Sequence, residues 1–208
     1  IFSLFAVVSV FTISKLSGED NVIILILAGV IVSTFFQAFV SLMQYFSATD
    51  KLQAIVFWNF GSFTTARWAG VLQTAPFSIL GCIILVMLSW RINVMSLGDD
   101  AAQLLGINVK RFRILLILIV SLMTSSAVAI CGPIGWVGLI VPHIVRMLVG
   151  SNNFHVLLCS IGFGSSFLLI VDLLSRVLTS YEIPIGIITS IIGAPFFVFI
   201  VYKTKQVM

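Results

Sequence analysis

The chain consists of long apolar runs separated by short polar breaks. A membrane-spanning helix needs about 20 predominantly apolar residues, and unbroken runs of this kind favour helices over the alternating pattern of a β-barrel strand. The pattern therefore predicts an all-α, polytopic transmembrane helical bundle that forms a single domain. The seven predicted spans, of which the first is partial, are residues 1–13, 21–46, 72–90, 114–131, 134–149, 156–180 and 185–202.

Two stretches outside the spans are predicted to hold short helices. Residues 52–63 are semi-apolar and too short to cross a membrane, so they indicate an interfacial or re-entrant helix. The polar stretch 91–113 is too long and too patterned for a simple turn. It predicts a helix at about 99–105 outside the membrane, followed by a second short piece. The expected ends of this helix are Ser96 or Asp99 as the N-terminal cap and Gly106 in a left-handed conformation.

Composition strengthens the membrane assignment. Of the 208 residues, 60% are hydrophobic and 9% are charged, and the mean hydropathy is +1.22. A soluble domain carries about 25% charged residues, and a soluble fold near this size hides only about 70% of its chain surface. These values exclude a soluble enzyme, a DNA-binding module and a disordered chain, so no nucleic-acid partner is expected.

Basic residues concentrate in alternate polar breaks. Eight of the eleven fall on one side of the predicted bundle: Lys15, Arg91, Lys110, Arg111, Arg113, Arg146, Lys203 and Lys205. Because loops rich in Lys and Arg stay in the cytoplasm, this side and the C-terminus are predicted to be cytoplasmic. The chain begins within an apolar run and without Met, so we expect a C-terminal fragment of a longer protein.

The sequence lacks the residue patterns of nucleotide-binding and hydrolytic enzymes. It has no P-loop, no G-x-S-x-G nucleophile turn and no H-E-x-x-H zinc pattern. Cys82, Cys131 and Cys159 form no metal-binding pair and are expected to be small core residues. His143 is expected to be structural. We therefore predict no catalytic residue, no metal site and no cofactor bound by this chain.

One pair of charges lies inside a predicted span. Asp172 and Arg176 are four residues apart, so they share a helix face and can pair. Charged groups inside a membrane are costly and indicate function by default. Two interpretations stay open: an internal salt bridge, or an arginine that reaches the outer surface and contacts an acidic partner.

The short helix within residues 91–113 is predicted to be amphipathic. Its apolar face would consist of Leu97, Ala101, Leu104 and Leu105, with Asp99, Asp100 and Gln103 on the other side. Such a helix either rests on the membrane surface or docks a cytoplasmic partner. We favour docking, because a transporter without a motor of its own needs such a partner.

Four segments of the chain form a specific set when they are taken together. The most characteristic runs from Gly132 to Arg146 and reads Gly-Pro-Ile-Gly-Trp-Val-Gly-Leu-Ile-Val-Pro-His-Ile-Val-Arg. The others are Leu27–Val30, Leu97–Gly106 and Ile183–Pro195. In order and spacing, and over essentially the whole chain, these segments resemble the FecCD family of ABC importer permeases for iron–siderophore, heme and cobalamin.

The resemblance implies a type II ABC importer fold of ten spans. This chain, residues 1–208, would supply the last seven as one permease domain. The resemblance further implies a second permease copy (as a homodimer or close heterodimer), two cytoplasmic ATPase subunits that bind ATP and Mg, and an extracytoplasmic substrate-binding protein. The expected function is import of an iron chelate, a siderophore or heme, across the cytoplasmic membrane. The alternatives are cobalamin import and a secondary transporter without an ATPase.

The resemblance also implies roles for particular residues. It places an ATPase-coupling segment at about 94–113, a contact with the binding protein at Arg176, a cytoplasmic gate near Ser41 and Leu42, and a short outer helix at 51–62. The expected coupling residues are Leu97, Gly98, Asp99, Asp100, Ala101, Ala102, Leu105 and Gly106.

Overall fold

The computed structural model describes residues 2–16, 22–64, 66–178 and 183–205. This part of the chain is mostly helical and contains no strand, so the prediction of an all-α bundle is confirmed. Its helices are α1 (Phe2–Leu16), α2 (Val22–Tyr45), α3 (Thr49–Asn59), α4 (Trp68–Met87), α5 (Ser89–Met95), α6 (Asp99–Leu104), α7 (Val109–Cys131), α8 (Val137–Val149), α9 (Asn153–Val177) and α10 (Ile185–Lys205).

Seven of these helices correspond to the seven predicted spans. Four of them, α2, α4, α7 and α9, are long and apolar enough to cross a membrane by length and composition. Three shorter apolar helices are α1, α8 and the Ile185–Val198 part of α10. Large apolar side chains such as Ile26, Leu72 and Leu169 point outward from the bundle, as expected of a surface that faces lipid or other membrane helices.

The helices pack as neighbouring pairs around small buried clusters. Helix α4 packs against α7, α8 against α9, and α1 against both α2 and α7. Val141, Val145 and Val156 form the cluster between α8 and α9. Val171 joins Ile185 and the start of α10 in another cluster.

The two ends of the bundle differ in their connections. At one end, which we call the α3 end, the Ser62 amide donates to the Cys131 carbonyl (2.8 Å) and the Gly186 amide donates to the Phe60 carbonyl (3.1 Å). The other end carries Lys15 and residues 91–113, and we call it the basic end. There, Lys15 lines a cavity of about 480 Å³ together with Asp99, Gln103 and Arg113.

The polar stretch 91–113 differs from its prediction in two respects. Helix α6 begins after Gly98, whose φ of 108° requires glycine geometry, and no side chain caps it. Ser96 instead donates its hydroxyl to the Asn93 carbonyl, and Asp99 is the first residue of the helix. The predicted second piece is the first turn of α7, which Asn108 caps by accepting from the Arg111 amide (3.0 Å). The left-handed Gly106 is confirmed, with a φ of 79°.

The predicted span 134–149 starts its helix later than expected. Residues 132–136 are not helical, and Trp136 has a φ of 67°, which no other described non-glycine residue shares in sign. The Trp136 ring lies 6.2 Å from the Phe197 ring, and its Cβ packs directly on Gly193. Non-helical backbone at membrane depth is tolerated where protein surrounds it, and α3 and α10 provide those surroundings here.

Candidate functional site

The predicted coupling segment, residues 94–113, forms a compact unit at the basic end. Helix α6 is its central element and contacts both α5 and α7. Asp99 and Asp100 occupy the first turn of α6, where negative charge is favourable beside the positive end of the helix dipole. Gly98 and Gly106 reverse the chain on either side of α6 through their positive φ angles. The sequence thus builds a short helix that protrudes between two turns.

Ala102 is the residue that anchors α6. Its exposed fraction is 0%, and it packs in one buried cluster with Val94, Ile107, Val109 and Phe112. The Ile107 amide also donates to the Ala102 carbonyl (3.0 Å). A small side chain at this position therefore lets α6 approach α7 closely, and the cluster fixes the helix without using its larger apolar side chains.

The larger apolar side chains of the segment point away from the protein. Leu97 is 70% exposed, Leu104 is 90% exposed and Leu105 is 57% exposed. The predicted apolar face of the helix is therefore its outward face, and only Ala101 among its members is half-buried. Large apolar side chains that a protein leaves exposed beside polar ones are a common feature of docking sites.

An ion pair ties α6 to the start of α7. One guanidinium nitrogen of Arg113 lies 3.0 Å and 2.9 Å from the two carboxylate oxygens of Asp99. The Asp99 side chain is 49% exposed, so solvent screens the pair and its contribution to stability is about 1 kcal/mol or less. Asp99 thus has a local partner within the described structure, whereas Asp100 lies beside it on the exposed surface.

Arg176 lies in the last turn of α9, at the α3 end of the bundle. Its Nε and a terminal nitrogen donate to the two carboxylate oxygens of Asp172 at 3.0 Å and 3.3 Å. The Arg176 side chain is nevertheless 44% exposed, against 20% for Asp172. The neighbouring residue Ser175 is fixed to the Ile183 carbonyl through its hydroxyl. The internal pair therefore exists, and the paired guanidinium still presents much of its surface.

Ser41 and Leu42 are brought to neither of these surfaces. Both are exposed on the last turns of α2, at the end that leads into α3. This is the α3 end, opposite Lys15 and the basic residues. A cytoplasmic gate at Ser41 and Leu42 is thus incompatible with the orientation that the basic residues predict, because the same end cannot face both compartments. The sequence around these residues has no sharp motif, and the gate assignment stays a prediction.

The described helices carry three free cysteines and His143. Cys82 and Cys131 are half-buried and Cys159 is exposed. The prediction that the three cysteines are small core residues is therefore wrong for this chain. His143 is half-buried on α8. Within residues 2–16, 22–64, 66–178 and 183–205, no three His, Cys, Asp or Glu side chains are grouped so that they could hold a metal ion.

The hydropathy and charge patterns did not predict one polar cluster at the basic end. Asn93 of α5 and Asn152 and Asn153 at the start of α9 are joined by hydrogen bonds across the bundle. The available signal was three asparagines in polar breaks that the charge count had already placed on one side. Hydropathy alone gave no reason to pair residues so far apart in the sequence.

A bundle of long apolar helices with a short helix exposed at one end defines the general class, that of multi-pass helical membrane proteins. Within that class the chain belongs to the FecCD transport family, whose match extends over residues 1–203. The resemblance seen in the sequence motifs is therefore confirmed.

Individual relatives support the same assignment. The chain is 44% identical over 198 residues, 95% of its length, to the molybdate import system permease protein MolB of Haemophilus influenzae. It is 36% identical, over 91% of its length, to the Fe(3+)-citrate import system permease protein YfmD of Bacillus subtilis. The chain spans 59% and 57% of the lengths of these two proteins.

A solved structure shares the fold. It is described as an inward-facing conformation of a metal-chelate type ABC transporter, with a TM-score of 0.85 and 44% identity. The likeness covers 92% of this chain and 63% of that one.

Proposed function

We propose that this chain is part of the permease subunit of an ATP-binding-cassette importer. The observation that carries the proposal is the coupling segment, in which α6 is anchored through Ala102 while Leu97 and Leu104 remain exposed. Apolar side chains that are exposed at the basic end of the bundle provide a surface for a partner of complementary shape. The family relationship gives that partner the role of an ATPase subunit.

The sequence supports an external source of energy. It contains no phosphate-binding loop, and Asp172, the one acid within a predicted span, is paired with Arg176. A transporter driven by protons or sodium ions would need further ionisable groups along its spans. We therefore assign ATP and Mg to two cytoplasmic ATPase subunits, and place the basic end in the cytoplasm on the positive-inside rule.

The remaining parts of the assembly follow from the same proposal. A second permease copy lines the pathway with this one, and a substrate-binding protein delivers cargo to the α3 end. ATP drives the switch between inward and outward access only if it binds one state better than the other. The coupling segment is the part of this chain that would sense that difference.

The cargo is proposed to be a metal-containing compound. The family resemblance implies an iron chelate, and a relative named as a ferric citrate import permease supports this choice, whereas the relative MolB is named as a molybdate import permease. Deletion and restoration of the complete gene in its native cells, with uptake of labelled ferric siderophore, molybdate and cobalamin measured in parallel, tests the proposal. Loss of one uptake activity identifies the cargo, and unchanged uptake of all metal compounds would contradict the proposal.

Arg176 is expected to contact the binding protein directly. Replacement of Arg176 by Gln should weaken binding of the binding protein by about fivefold, the equivalent of about 1 kcal/mol for a partly exposed charge. The loss should shrink at high salt, because screening already weakens such contacts. Binding of the purified binding protein to the intact permease in nanodiscs, measured at two salt concentrations, checks this expectation.

The matched control for Arg176 is its partner. Replacement of Asp172 by Asn breaks the same ion pair but leaves the positive charge in place, so binding should stay the same or become tighter. If the two variants weaken binding equally, the Asp172–Arg176 pair is only an internal salt bridge and the docking role is wrong.

A further inference from the structure

Three asparagines connect the coupling segment to α9. The Asn93 side-chain nitrogen donates to the Asn152 side-chain oxygen (3.0 Å). In return, the Asn93 side-chain oxygen accepts from both the backbone and the side-chain nitrogen of Asn153, each at 2.8 Å. Asn153 is buried, with 7% of its surface exposed. We call Asn93, Asn152 and Asn153 the asparagine clamp.

The clamp caps α9 from outside that helix. The first amides of a helix have no acceptor within it, and a side-chain oxygen normally satisfies one of them. Asn152 does this locally by accepting from the Phe154 amide (3.0 Å). Asn93 satisfies the Asn153 amide from α5. Helix α9 therefore depends on a residue of another helix for part of its N-terminal cap.

The end of α8 also contacts the clamp. A terminal nitrogen of Arg146 donates to the side-chain oxygen of Asn153 (3.3 Å), so both polar atoms of that buried amide have partners. On the other side, Val94 follows Asn93 directly and packs with Ala102 of α6. The path from the outward face of α6 to the start of α9 thus consists of one buried apolar contact and one hydrogen-bonded network.

We propose that the asparagine clamp makes α9 move as one body with the coupling segment, and that Asn93 is the positioning residue that joins them. This inference rests on the proposed function. Helix α9 has 25 residues, about 37 Å at 1.5 Å per residue, which exceeds the thickness of the hydrocarbon core. A displacement of α6 at the basic end therefore reaches the neighbourhood of Arg176 along a single helix.

The first test uses the complete permease assembled with its ATPase subunits and binding protein. Replacement of Asn93 by Ala should lower ATP-driven uptake about tenfold, within the range by which mutations along a coupling path change coupling. ATP hydrolysis without binding protein should stay within about twofold of wild type. Replacement of Asn93 by Asp keeps the acceptor for both Asn153 nitrogens and should restore at least about a third of the uptake.

Ser165 offers the control for Asn93. It lies on α9 outside the clamp and the coupling segment, and its hydroxyl donates to the Gly162 carbonyl within the same helix. Replacement of Ser165 by Ala should leave uptake within about twofold of wild type. Equal losses from the Asn93 and Ser165 variants, or normal uptake by Asn93→Ala, would overturn the proposal.

A second test remains decisive if Asn93→Ala fails to assemble. In a permease whose native cysteines are replaced by Ala, Asn93→Cys and Asn153→Cys are combined and joined by a short bifunctional thiol cross-linker. Because α5 and α9 should move together, joining them should raise the impaired uptake of the double variant at least about threefold. If the covalent link instead abolishes uptake, α5 and α9 must move relative to one another and the proposal is wrong.

These outcomes are separate from those of the proposed function. If the unmodified assembly shows no ATP-dependent uptake of any metal compound, the proposed function fails irrespective of the clamp. If that assembly transports and the Asn93 variants behave as wild type, only the clamp fails.

Discussion

Replacement of Leu104 by Asp is expected to abolish ATP-driven uptake and to leave the bundle folded. Leu104 is 90% exposed, so this chain loses almost no packing when the side chain changes. An ATPase surface that covers Leu104 would have to bury a carboxylate, which costs at least about 2 kcal/mol, or roughly 30-fold in affinity. Co-purification of the ATPase subunits measures the loss of ATPase affinity, and uptake into vesicles measures the loss of transport.

Three further changes test whether this result is specific to the exposed apolar side chain. Replacement of Gln103 by Asp adds the same charge to an exposed position of α6 without removing an apolar side chain, and it should keep most of the uptake. Replacement of Ala102 by Asp, or deletion of residues 99–105, should abolish uptake by destroying the segment itself, with membrane insertion intact. Normal uptake and ATPase assembly in Leu104→Asp or in the deletion would exclude the docking surface.

Replacement of Gly186 by Ala is expected to lower the stability of the bundle by about 2 kcal/mol, as overpacking at a tight contact does. A methyl group on Gly186 would overlap the Phe60 carbonyl oxygen, which is also the acceptor of the Gly186 amide. A backbone carbonyl cannot turn aside as a flexible side chain can, so the α3 end would have to open. Thermal unfolding of the purified intact permease in detergent measures the loss.

Gly138 supplies the matched control for Gly186. It is the second residue of α8, as Gly186 is of α10, and apart from its chain neighbours and the backbone of its own helix no described atom would lie within 4 Å of a methyl group at this position. Gly138→Ala should leave the unfolding temperature within about 1 °C, because exposed substitutions away from tight contacts change little. A Gly186→Ala protein as stable as this control would show that the contact with Phe60 is relaxed.

The hydropathy pattern predicted the positions of the helices far better than it predicted which side of each helix is buried. Spans follow from composition, and the left-handed Gly106 follows from the preference of helix ends for glycine. The inward position of Ala102 was not predictable, because α6 has six residues and less than two turns give no reliable periodicity. The three leucines are exposed, but so are the polar side chains predicted to lie opposite them, so burial does not divide the segment into the predicted apolar and polar faces.

Tertiary contacts explain the other differences. Trp136 adopts a positive φ because Gly193 and Phe197 fix its side chain, and these residues are distant in the sequence. The asparagine clamp likewise joins Asn93 to Asn152 and Asn153, which helices α6, α7 and α8 separate from it in the sequence. An asparagine in a polar break caps a helix, closes a turn or forms a network with equal ease, so the pattern alone cannot choose among these roles.

The hydrogen bonds of the α3 end have a consequence for biosynthesis. The Phe60 carbonyl accepts from the amide of Gly186, which belongs to α10, the last of the described helices. Segments enter a membrane in the order of their synthesis, so residues 60–62 and 132–136 insert before α10 exists to surround them. Exposed backbone groups are costly in lipid, and these segments must therefore stay near the interface until α10 arrives. Truncation before α10 would leave the Phe60 carbonyl without its hydrogen bond from the Gly186 amide and the α3 end without the helix that closes it.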